Sequence, residues 1–157
     1  MHCKKHPCVD VCPTGASYEK EEWGIVLVNQ RKCIGCRSCM TACPYEVRVF
    51  NWERPEDILT ENPVVPVRRL GVVEKCTFCV HKIDEAHKKG LQVGTTIKEP
   101  DRHKVIVPAC ARECVGNALY FGDLNDQESQ VSDLLKKNKY KRLAERAGTE
   151  PNVYYIE

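Results

Sequence analysis

Apolar positions along the chain fall in short runs separated by polar, cysteine-bearing stretches, so the pattern predicts short elements. Gly24-Ile25-Val26-Leu27-Val28 is continuous and β-branched, which predicts a strand. Val47-Arg48-Val49-Phe50 predicts a second strand and Ala118-Leu119-Tyr120-Phe121 a third. His81 to Lys89 reads as helical, and Val131, Leu134 and Leu135 form one apolar face of a short helix. The mostly basic run from Lys136 to Arg142 reads as a solvated helical face without a functional role. Asn152-Val153-Tyr154-Tyr155-Ile156 reads as a closing strand, docked rather than free. Between these, residues 51–70 carry Pro55, Pro63 and Pro66 and read as a connecting loop. Residues 90–104, with Gly90, Gly94, Pro100 and four charges from Lys98 to Arg102, read as a surface excursion.

Composition changes this picture at one residue type. The chain has 157 residues, enough for one domain or two small lobes. A net charge of +2 gives no reason to expect nucleic acid as a partner. No apolar run is long enough to span a bilayer, so direct membrane insertion is not expected. The opening Met1-His2-Cys3-Lys4-Lys5 does not have the form of a secretory leader. Cysteine, however, occurs eleven times. A secreted disulfide framework favours an even count and a leader, so metal ligation is the better starting point.

The cysteines are organised as a weak internal repeat. Cys3-x4-Cys8-x3-Cys12-Pro13 is followed by a strand, and so is Cys33-x2-Cys36-x2-Cys39-x3-Cys43-Pro44. The second run fits C-x2-C-x2-C-x3-C-P, the bacterial ferredoxin spacing, in which the fourth cysteine ligates the other cluster of a pair. A cubane presents irons at tetrahedral corners. A tight loop with a cysteine at every third position wraps three of them, and the fourth thiolate comes from elsewhere. By that logic Cys33, Cys36 and Cys39 hold one [4Fe–4S] cluster with Cys12. Reciprocally, Cys43 serves a second cluster with Cys3 and Cys8, which have one ligand too few in this chain. Gly35 is expected to let the backbone approach the cluster without a Cβ in the way. Zinc sites use spaced Cys pairs, and four cysteines packed between Cys33 and Cys43 suit zinc poorly.

The sequence resembles the iron–sulfur electron-transfer (beta) subunits of the dimethyl sulfoxide reductase and polysulfide reductase family of molybdopterin oxidoreductases. The resemblance rests on Cys12-Pro13-Thr14-Gly15-Ala16, Lys32-Cys33-Ile34-Gly35-Cys36, Ala42-Cys43-Pro44-Tyr45, Lys75-Cys76-Thr77-Phe78-Cys79 and Pro108-Ala109-Cys110. Phe121-Gly122-Asp123-Leu124-Asn125-Asp126 and Pro151-Asn152-Val153-Tyr154-Tyr155 extend it to nearly the whole chain. In that family the motif around Cys3, Cys8 and Cys12 begins with a further cysteine, which would fall immediately before Met1. A whole first motif would lie further upstream, so the resemblance implies an N-terminally truncated reading, with eleven cysteines as three motifs of four less one.

The resemblance also implies that Cys76, Cys79 and Cys110 hold a third cluster whose fourth ligand is missing, and that Cys114 completes a fourth. The long Cys79–Cys110 gap, with an insertion around 88–105, and Val115 in place of proline depart from the family pattern. A zinc ribbon using Cys76, Cys79, Cys110 and Cys114 stays open as an alternative. His2, His6, His81, His87 and His103 read as surface or hydrogen-bonding residues, and Trp23, Trp52 and Tyr45 as core packing. Lys75 is either a solvated lysine or a charge that raises a cluster's potential.

The expected fold is α+β: a ferredoxin-like two-cluster core over residues 1–50, a second cluster-binding lobe over 51–125, and a C-terminal extension over 126–157. No nucleophile–base pair or phosphate loop is present, so the chain is not expected to catalyse turnover itself. The resemblance implies electron transfer between a molybdopterin catalytic subunit and a quinol-linked integral membrane subunit, with membrane association through those partners. The alternatives are a free ferredoxin-like carrier and a structural zinc-binding module.

Overall fold

The computed structural model describes residues 1–53 and 69–157. Pro55, Pro63 and Pro66 lie outside the described residues. The chain forms two compact units: Met1–Thr77 with Arg142–Tyr154, and Phe78–Lys141 with Tyr155–Glu157. Both mix short helices with two-residue to four-residue strands, a small α+β architecture.

In the first unit, α1 (Pro7–Asp10) follows the first cysteine turn. A hairpin comes next, with β1 (Ser17–Lys20) antiparallel to β2 (Ile25–Val28), Ser17 opposite Val28 and Lys20 opposite Ile25. Ile25, Val26 and Leu27 are all buried, which explains the unbroken apolar run. Strand β1 was not expected from sequence. Its Tyr18, Glu19 and Lys20 lack the β-branched signature, and the strand exists because β2 offers it a ladder. After α2 (Ser38–Thr41), the predicted strand at Val47–Phe50 is realised only as β3 (Val49–Phe50), paired with β4 (Val73–Glu74).

The far end of the chain returns to this unit. Lys4 N–H donates to the Glu150 carbonyl at 3.0 Å, Lys5 N–H to that of Thr149 at 3.1 Å, and Asn152 N–H to that of Met1 at 3.0 Å. The Tyr45 hydroxyl hydrogen-bonds that of Thr149.

In the second unit, α3 (Val80–Lys88) buries Ile83 and Ala86. It ends with His87 and Lys88 at the negative pole of its dipole, and Gly90 beyond them takes a positive φ. Helix α4 (Ala109–Arg112) packs Ala111 with Val105, Val107 and Phe121. Helix α5 is Gln130–Lys137, and β5 (Tyr140–Lys141) pairs with β6 (Tyr155–Ile156).

Three sequence expectations are corrected here. Ala118–Phe121 is not a strand. Its polar groups are used irregularly: Ala118 N–H donates to Cys114 Sγ, and the Phe121 carbonyl accepts from the Thr95 N–H. The 90–104 segment is not wholly a surface excursion, because Gly94 and Thr95 are buried. Gly94 presses so close to Gly122 that a Cβ would lie 2.6 Å from the Gly122 Cα. The basic run does not continue as a helix either: α5 stops at Lys137, and Tyr140 and Lys141 are strand.

Candidate metal centre

All eleven cysteines lie within the described residues, and no two are joined by a disulfide. Among the described residues, no three His, Cys, Asp or Glu side chains converge closely enough for a single metal ion. Cys12, Cys33, Cys36 and Cys39 instead line one partly open cavity in the first unit. Thr14, Ile34, Arg37, Arg48 and Val73 help to enclose it.

Three of these thiols are placed by different local devices. Cys12 follows α1, and Cys39 is buried inside α2. Cys36 stands exposed between Gly35 (φ +70°) and Arg37 (φ +64°). Left-handed residues in such turns are the kind of backbone that forms concave nests for anions. A Cβ on Gly35 would fall on the carbonyl oxygen of Gly71 and touch Phe50. The close approach that requires glycine is therefore made by the segment leading into β4, where sequence reasoning had placed the cluster itself.

Hydrogen-bond donors face the sulfurs. Ser17 N–H lies 3.3 Å from Cys12 Sγ, and Val73 N–H 3.4 Å from Cys33 Sγ. The Ser38 hydroxyl lies 3.5 Å from Cys36 Sγ. Burial opposes the Cys12 thiolate, but donors from Ser17 and Thr14 outweigh it and hold the thiol below its ordinary pKa. Ser38 lowers that of Cys36. Burial raises that of Cys39, against the pull of the Arg48 charge. Cys12 and Cys36 are thus set up to favour thiolate, the form that binds iron.

A second group surrounds the start of the chain. Cys3 and Cys43 are buried, and Cys8, in α1, accepts a hydrogen bond from Arg48 Nη2 at 2.9 Å. His2 is 2% exposed, and its Nδ1 accepts from Val26 N–H at 3.1 Å. Burial, aided by the nearby Lys75 charge, pushes its pKa down to about 2, so it sits there as a neutral hydrogen-bonding residue. Lys75 is not a solvated lysine. Its ammonium donates to the carbonyls of Val26 and Cys76, at 2.7 and 2.8 Å, and burial lowers its pKa to about 8.

Cys76, exposed, follows β4 near the end of the first unit's main segment. In the second unit Cys79 caps α3 and accepts from the N–H of Ala109 at 3.5 Å, next to Cys110 on α4. Cys114 accepts from Ala118 N–H at 3.3 Å, which lowers its pKa.

Sequence reasoning missed Arg48, which lines the cavity together with Arg37 and is only 3% exposed. It follows Cys43-Pro44-Tyr45 closely, but a single arginine between apolar residues reads as an outward strand position. Trp52 is also corrected: it is 67% exposed, edge-on to Phe50 at 4.5 Å with the Arg37 guanidinium 4.8 Å from its ring centre.

Thiols around one cavity, with N–H and O–H donors aimed at sulfur and a buried cation beside them, define a ferredoxin-type iron–sulfur protein. Residues 1–57 match the model of a 4Fe-4S dicluster domain. More particularly, the chain belongs to the family of iron–sulfur subunits of dimethyl sulfoxide reductase-type oxidoreductases, and its cofactors are [4Fe–4S] clusters. It is 46% identical over 160 residues to the Hdr-like menaquinol oxidoreductase iron-sulfur subunit 1 of Archaeoglobus fulgidus, covering 99% of this chain and 54% of that protein. It is 42% identical over 157 residues to the putative iron-sulfur subunit of a dimethyl sulfoxide reductase from Halobacterium salinarum, covering 99% and 52%. It is 36% identical over 187 residues to the arsenate respiratory reductase iron-sulfur subunit of a Shewanella species, covering 99% and 71%. The chain spans about half the length of the first two.

Proposed function

We propose that the chain carries electrons through [4Fe–4S] clusters as a subunit of a membrane-associated molybdopterin oxidoreductase complex, with turnover in a partner subunit. The observation that carries the reading is the ring of Cys12, Cys33, Cys36 and Cys39 around one cavity, built from two stretches of chain. These four would hold one complete cluster. Cys3, Cys8 and Cys43 would hold a second, and Cys76, Cys79 and Cys110 a third, each with one further ligand. Cys114 would complete a fourth. When bound, each cluster takes up and releases one electron. The chain's own residues fix the thiolates, exclude water and supply the hydrogen bonds that set the potential.

The relatives' names support the complex: a dimethyl sulfoxide reductase, an arsenate respiratory reductase and a menaquinol oxidoreductase. A molybdopterin catalytic subunit and a quinol-linked membrane subunit are the partners this predicts. No helix among the described residues is long and apolar enough to cross a membrane, and association through those partners is the matching arrangement. A ferredoxin-like two-cluster core with a second cluster-binding lobe is the matching architecture. A zinc module is not favoured, given the dicluster match.

Cys36→Ala is the test, because Cys36 is exposed and its removal disturbs little packing. It should cost about four irons per chain and a matching share of acid-labile sulfide and visible absorbance. Unchanged iron and spectrum would remove Cys36 from the ligand set. Zinc without labile sulfide in anaerobically purified protein would overturn the reading as a whole.

A further inference from the structure

We propose that Arg48 is a shared counter-charge between the first two clusters, contacting the thiolates of both and holding both reduction potentials up. The inference rests on the ligand sets proposed above.

Arg48 is 3% exposed, and among the described residues no carboxylate lies within ion-pair distance of it. Its Nη2 donates to Cys8 Sγ at 2.9 Å, a ligand of the second set. The same side chain lines the cavity ringed by Cys12, Cys33, Cys36 and Cys39, the first set. Its Nε and Nη1 are buried without a hydrogen-bond partner. An arginine cannot shed its proton to escape such a site, and a buried charge with no counter-charge is strongly disfavoured. The remaining N–H groups therefore need an anion from within the cavity. A cubane held by four thiolates is such an anion, and its sulfurs are acceptors.

The position is enforced by the backbone. Arg48 immediately precedes β3, whose pairing with β4 fixes it near Val73, which lines the same cavity. A planar fork of five donors can address sulfurs on two sides, which a single ammonium cannot.

The electrostatic consequence has a definite sign. Reduction adds one negative charge to a cluster, and a nearby buried cation stabilises the reduced form, so its removal lowers the potential. Arg48 is a positioning and tuning residue here, not a ligand.

The test uses the full-length protein in its complex, prepared anaerobically, with midpoint potentials from EPR-monitored redox titration and iron and sulfide counts alongside. Arg48→Gln should shift the reduction equilibrium of both clusters toward the oxidised form by about tenfold, about 59 mV for a one-electron couple. Arg48→Lys keeps the charge but loses the fork, so it should change the gap between the two potentials. A full complement of iron and sulfide in Arg48→Gln with both potentials unmoved would overturn the proposal and leave the ligand assignment standing. Where Arg48→Gln fails to assemble clusters, Arg48→Lys decides: an unchanged gap overturns the proposal and a changed gap supports it. Wild-type protein without clusters would instead sink the ligand assignment itself.

Discussion

At the scale of single residues, Gly35 shows how narrow the tolerances around the cavity are. Its positive φ is strained for any L side chain, and its missing Cβ leaves room for the Gly71 carbonyl. Gly35→Ala should cost at least about 2 kcal/mol from left-handed strain and overpacking combined. The same change should push away the segment that brings Val73 N–H to Cys33 Sγ. Slower cluster reconstitution than wild type, with a lower potential for the cluster that forms, is the expected result. Reconstitution at the wild-type rate would show that the segment yields freely.

Much at this scale was legible beforehand. Cysteine spacing is a local signal, because a loop of fixed bond lengths either wraps a cubane or does not. The mirrored Cys-Pro turns also singled out Cys12, and the structure does bring it to the same cavity as Cys33, Cys36 and Cys39. Arg48 and His2 were not legible as buried residues. The groups they bond, Cys8, Val26 and Lys75, are distant in sequence, and nothing local to Arg48 or His2 marks those pairings.

At the scale of elements, apolar density was the reliable guide. Ile25–Val28 and Val80–Lys88 appear close to where their patterns put them, because each buries its own apolar residues. The failures were elements defined by their partners. Strand β1 is polar and exists through β2, whereas Ala118–Phe121 is apolar yet, among the described residues, bonds Thr95 and a cysteine sulfur rather than a partner strand. Helix α3 offers a check on the second unit. Ile83 is 2% exposed, so Ile83→Ala should destabilise that unit by about 2–4 kcal/mol. Hydrogen exchange should then quicken at amides of α3 and spare the β1–β2 hairpin. Equal quickening in both would mean that the units unfold as one.

At the scale of the whole molecule, the tail from Asp126 onward does not form a single extension. Residues up to Lys141 and from Tyr155 group with the second unit, while Arg142–Tyr154 groups with the first. Nothing local in Gly148-Thr149-Glu150-Pro151 announces this, since the bonds that Thr149 and Glu150 make are to Lys4, Lys5 and Tyr45. Thr149 is buried, so Tyr45→Phe strands its hydroxyl and should cost about 1–2 kcal/mol. Faster exchange of the Lys4 and Lys5 amides is the readout. Unchanged protection there would show that the backbone bonds suffice alone.

That return of the tail also fixes an order of events during synthesis. Residues 149–152 hydrogen-bond the backbone on both sides of Cys3, at Met1, Lys4 and Lys5, yet they are translated after all eleven cysteines. A nascent chain halted at Lys141 holds every one of those thiols but lacks this clasp. On the proposed ligand set, iron loading at Cys3 is therefore expected to wait until the clasp has emerged from the ribosome, and stalled chains should take up iron weakly there.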